Sequence, residues 1–221
     1  MDIQWHGRNG TGRFSFSATP GDYDGVPAVD RLYVDRDMLI VSSDVLSLSG
    51  FLAFAPYCAG RLTLPKEVSP ELVTAMQEFA SPSWLHVDSV DVEPKAAPQG
   101  EGKVLLADSL TFENVLPNSW GSARNTTLSV ADSSQWAGYL LSSELLIVGS
   151  NARTVALMLP RALYVLPFIS VALLFMESIR CSTLVVADSF EVDDEVWHKL
   201  VRLVKACNYS LLRESELREW N

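Results

Sequence analysis

The chain has 221 residues, 17 of them basic and 27 acidic, for a formal net charge of −10. Apolar residues make up 48% and charged residues 20%, a globular composition that excludes a disordered or collagen-like chain. The acidic balance excludes nucleic-acid binding through a basic surface, because phosphate neutralisation needs Lys and Arg in excess.

The opening Met1-Asp2-Ile3-Gln4-Trp5-His6 has no basic stretch leading into an apolar run. No secretory signal is read from it, and the cytoplasm is the expected compartment. Ile3-Gln4-Trp5 and Phe14-Ser15-Phe16 alternate around a glycine-bearing turn at 7–12, which predicts a hairpin. Residues 32–34 and 38–41 flank Asp35-Arg36-Asp37 and predict a second hairpin. Residues 43–59 read as a short helix or an apolar loop around Phe51 and Phe54. From Pro70 to Ala80 the signs of a helix agree: Ser69 as cap, Pro70 at its first position, Glu71 in the first turn, and Leu72, Val73, Met76 and Phe79 at helical spacing. A strand is expected over 84–87.

Residues 94–102 hold two prolines and two glycines and predict a linker. It divides a β-rich α+β lobe, 1–93, from an α/β lobe, 103–221. The expected class is thus α/β or α+β, with the β-rich N-terminal lobe followed by a mixed sheet and flanking helices. In the second lobe the apolar runs 103–107, 145–148 and 183–187 have strand length and predict buried central strands. Residues 110–143 carry weak periodicity and read as a long loop. Residues 155–176 are long enough on paper to span a bilayer, but Arg161, Pro160 and Pro167 interrupt them. A buried core segment is the expectation there, and no membrane partner is favoured. After Gly149 the chain turns back as a hairpin or starts a helix capped by Asn151, and a helix is expected over 167–179. A strong helix is predicted over 192–207, opened by Asp193, Asp194 and Glu195 and stopped at Asn208. A strand is expected over 209–212.

Ala-Asp-Ser occurs three times, at 107–109, 131–133 and 187–189. Two copies end predicted strands, and ligand sites of open α/β sheets lie beyond such ends. Asp108 and Asp188 would then face a common rim with Ser109, Ser150 and Asn151, where carboxylates can hold Mg²⁺ or move protons. Asp and Ser after a strand also serve turns and caps without any ligand, and that structural reading outweighs the chemical one. Cys58, Cys181 and Cys207 are too few and too widely spaced for a disulfide framework or a zinc site, and read as core. No phosphate-loop, nucleophile-elbow or EF-hand spacing is present, and no cofactor or metal is expected. Trp120 and Trp136 lie in polar loop text, where an aromatic suits a partner surface.

These residues favour a non-catalytic interaction protein: an assembly subunit, adaptor or inhibitor with an acidic surface. Its expected partner is a protein, a basic one by charge complementarity, and self-association through Trp120 and Trp136 is compatible with the same reading. The alternative is a hydrolase- or transferase-like α/β enzyme with a small-molecule or Mg²⁺ site around Asp108 and Asp188.

Overall fold

The computed structural model describes residues 1–7, 12–36, 41–82, 84–93, 100–107, 125–142 and 144–218. Strands β1 (Asp2–His6) and β2 (Phe14–Thr19) form the expected hairpin, antiparallel with Trp5 opposite Phe16. Strand β3 (Arg31–Val34) pairs with β2, also antiparallel. The second arm predicted for a β3 hairpin falls on 38–41; residues 38–40 lie outside the described ones, and Val41 is in no strand.

Helix α1 (Ser43–Phe54) resolves the ambiguous stretch at 43–59. Eleven of its twelve residues are buried, Asp44 among them, so it has no polar face and no amphipathic period. Gly50 lets it sit close to the N-terminal hairpin: a Cβ there would lie 3.0 Å from Ile3 Cγ2 and 3.2 Å from Phe16 Cδ1. Helix α2 (Pro70–Ala80) has the predicted bounds, and the Ser69 side chain accepts from Leu72 N–H. Strands β4 (Gly60–Leu62) and β5 (Leu85–Val87) make a small parallel pair beside it. The Met1 ammonium donates to the Arg61 carbonyl at 2.6 Å and pairs with Asp24, both groups being shielded from solvent.

Next in chain order come β6 (Gly102–Ala107), whose first residue falls inside the stretch predicted as a linker, β7 (Asn125–Asp132), β8 (Tyr139–Leu141) and β9 (Leu145–Ser150). The long loop expected over 110–143 is therefore corrected over its described part, since it contains two strands. β7 escaped the sequence reading because Asn125-Thr126-Thr127 and Ser129 are polar yet buried. Helices α3 (Ala152–Leu157) and α4 (Leu166–Met176) follow, then β10 (Cys181–Val186), α5 (Asp194–Ala206), β11 (Ser210–Arg213) and the one-turn α6 (Glu214–Arg218). After β9 the chain thus forms a helix, not a hairpin. Asp193 caps α5 through a 2.8 Å bond from Glu195 N–H, and Asn208 stops it with φ +62°, the left-handed conformation Asn tolerates.

The fold is of the mixed α/β kind, built on one sheet in the order β1-β2-β3-β9-β7-β6-β10-β11, with β8 also on β9. The first three strands run antiparallel onto β9; from β9 to β11 every neighbour is parallel. In chain order the parallel part starts centrally at β6 and grows outward through β7 to β9. It then crosses back through α3 and α4 to β10 on the other flank of β6. The strand order reverses between β6 and β10, the kind of position where open α/β sheets place their crevice.

Val104, Leu106, Leu128, Val130, Leu146, Val148, Leu184 and Val186 share one face by register and join the apolar core. Helix α4 packs on β6, β7 and β10 and against α1, and all eleven of its residues are buried. The two predicted lobes thus contribute to one sheet and one core, through β3 on β9 and α1 on α4. Pro160 and Pro167 divide the apolar stretch as expected. Among the described residues no helix is long and apolar enough to cross a membrane.

Candidate functional site

All three Ala-Asp-Ser tripeptides follow the same structural rule. Ala107 ends β6, Asp132 ends β7, and Ala187 follows β10 with its N–H donating to the Leu106 carbonyl. These are three contiguous parallel strands. Asp108 and Ser109 lie outside the described residues, as does Trp120. The described carboxylates make turn and cap bonds. Asp132 Oδ1 accepts from Ser134 N–H at 2.9 Å, and bonding to Ser134 holds its pKa below the usual carboxylate range. Asp188, exposed, accepts from Ser215 N–H at 3.1 Å in the first turn of α6. Among the described residues no group of three or more His, Cys, Asp or Glu is placed to hold a metal ion.

Ser150 and Asn151 lie at the carboxyl end of β9, with Ser150 opposite Asp132, but both are buried. Ser150 Oγ donates to the Tyr33 carbonyl at 2.6 Å and accepts from Ala152 N–H. Asn151 Oδ1 accepts from Tyr33 N–H and its Nδ2 donates to the Arg31 carbonyl, both at 2.8 Å. The pair joins β3 to the end of β9. Asn151 sits just before α3 as expected, but its side chain makes no cap bond. The cysteines are all buried. Burial, reinforced by the negative charge of Asp24, pushes the Cys58 thiol up to about 12, which keeps it from acting as a nucleophile. His6 Nε2 and Ser17 Oγ lie 2.8 Å apart across β1 and β2, without a carboxylate on the other ring nitrogen among the described residues.

Two features stand out from this background. The first is β8. From the end of β7 the chain crosses over β9, with Trp136 half-buried in the crossing, and returns along the far edge of β9 as β8. Gly149 permits the crossing: a Cβ there would lie 2.7 Å from Asp35 Oδ2 and 2.9 Å from the Trp136 carbonyl. Asp35, also bound to Arg13 at 2.6 Å, accepts from Gly138 N–H at 3.1 Å and anchors the start of β8. The Arg36 guanidinium lies 4.7 Å over the Tyr139 ring and 5.4 Å over Phe175. Tyr139, Leu140 and Leu141 are nonetheless 54%, 48% and 46% exposed. No described strand pairs with the outer edge of β8.

The second is a cleft of about 530 Å³ at the carboxyl ends of β10 and β11, lined among others by Arg161, Asp188, Phe190, Trp197, Arg213 and Ser215. Its floor is aromatic and buried: Phe190 packs on Phe168 and Tyr164, and Trp197 is 5% exposed beneath the Arg213 guanidinium.

No family model matches the chain, and neither a curated protein nor a solved structure is significantly similar to it.

Proposed function

We propose that this chain is a protein-interaction unit and that its partner adds an extended segment to the open edge of β8. The observation that carries the reading is the exposure of Tyr139, Leu140 and Leu141 along an edge that no described strand covers. Natural edge strands are guarded by short length, Lys, Pro, a bulge or a covering element; β8 is short, at three residues, but Tyr-Leu-Leu carries neither Lys nor Pro. An extended segment pairing there would gain backbone hydrogen bonds and alternate apolar contacts, Tyr139 and Leu141 on one face and Leu140 on the other. The net charge of −10 would favour encounter with a basic partner. The enzymatic alternative has less behind it, since the Asp188 carboxylate serves α6 and Ser150 and Asn151 serve β3.

The test places a photo-crosslinking side chain at position 140 and, as a control, at position 23, which is more exposed still. The expected result is a discrete crosslinked protein from 140 only, lost in the Leu141→Lys variant whose circular dichroism matches the parent. A partner captured equally from both positions, or retained by Leu141→Lys, would refute the reading.

A further inference from the structure

The geometry points to a binding site for a small organic oxyanion, a phosphate monoester or carboxylate with an apolar body, in the cleft between Arg161 and Arg213. Arg213 carries the argument. Its guanidinium lies 5.0 Å over the ring of buried Trp197, and its Nη2 donates to Asp194 Oδ1 at 2.7 Å and to the Val192 carbonyl at 3.5 Å. Stacking and these bonds fix the plane of the group, while Nε and Nη1 make no hydrogen bond to any described residue. A fork of donors held in place on an aromatic face is the arrangement that recognises oxyanions with little ordering cost. Ser215, an exposed residue of the lining, adds a hydroxyl, and its N–H is bound to Asp188.

Arg161 faces the cleft from the turn between α3 and α4. It pairs with Glu191, but the two side chains are 80% and 68% exposed. An exposed pair of this kind contributes little, so an incoming anion can take Glu191's place at negligible cost. Asp188 and Asp193 also line the cleft. Their charge weighs heavily against a polyanion such as a triphosphate and less against a ligand carrying one or two charges. Phe190, Val186 and Ala187 give the organic body an apolar floor. The volume lies within the range of small-molecule sites, and the cleft opens beyond the carboxyl ends of parallel strands, where such sheets bind ligands.

Phenyl phosphate is the probe, with benzoate as its carboxylate counterpart and inorganic phosphate as the body-free control. Binding is read by two-dimensional NMR of the indole N–H signals, with Trp197 assigned by Trp197→Phe. Saturable millimolar or tighter binding that moves the Trp197 signal is expected, weakened about tenfold by Arg213→Lys, which keeps the charge but loses the fork and the stack. Ser215→Ala, at an exposed position, should weaken it severalfold without changing the melting temperature, which keeps the test valid if Arg213 variants unfold. Phenyl phosphate binding more tightly than inorganic phosphate supports the apolar floor. Absence of saturable binding by both organic probes overturns the site, as does binding that Ser215→Ala and Arg213→Lys leave unchanged.

Discussion

Asp24 shows how a single side chain ties distant parts of the chain together. Burial alone would raise its pKa. Hydrogen bonds from the Met1 ammonium and from the Ala59 and Gly21 N–H groups outweigh that and hold it below the usual carboxylate range. A carboxyl lowered on folding stabilises the native state at every pH above its unfolded value of about 4. That stability is lost as pH falls through the lower folded value. Asp24→Asn leaves the ammonium buried without its counter-charge and should cost about 3 kcal/mol in urea unfolding at neutral pH. Much of the difference should vanish in acid, where the parent carboxyl is itself protonated. Asn151 supplies a second case. Asn151→Ala removes an acceptor and a donor from the backbone of β3 and should cost about 2 kcal/mol by the same assay. A residue that only contacted a ligand would leave stability unchanged. The sequence marked Asn151 because it follows a strand; it could not show that β3, some 120 residues earlier, needed both of its amide groups.

At the scale of elements, legibility followed the completeness of local signals. Helix α2 was readable because Ser69, Pro70 and Glu71 mark its start and its apolar spacing repeats. Helix α5 was readable for the same reasons, and Asp193→Ala should lower its stability by about 1 kcal/mol through loss of the cap, measured by thermal unfolding. Helix α1 was readable only as one of two alternatives, since Ser47, Ser49 and Gly50 are as buried as its leucines. Ser47 Oγ donates to the Lys66 carbonyl, a partner 19 residues on that local pattern does not show. Of the features offered here as sites, Asp188 was visible as a strand end. The Arg213–Trp197 stack was not, because it forms only when β11 returns beside α5. The open edge of β8 was equally hidden, since three residues carry no period and only the path of the chain over β9 places them at a border.

At the scale of the whole molecule, the described residues on either side of 94–102 share one core. Ser170 Oγ of α4 donates to the Ser49 carbonyl of α1 at 2.7 Å inside the protein. Fluorescence and far-ultraviolet circular dichroism should therefore trace one coincident unfolding transition in urea. Two separated transitions would show that the lobes unfold independently. Leu173→Ala, at a fully buried position of α4, should cost about 3 kcal/mol through lost burial and the cavity left behind. It should move both probes together. The membership of β3 in the same sheet as β9 was beyond the reach of local pattern, because it rests on long-range pairing across a composition boundary.

The bond between Ser170 and Ser49 spans 121 positions of sequence, and that separation matters during translation. Ribosomes add residues in order, so α1 leaves the exit tunnel with the side that α4 covers still bare. At usual elongation speeds its covering helix arrives on the order of ten seconds afterwards. Through that interval the nascent chain presents a surface that chaperones bind and that sticks to other newly made copies.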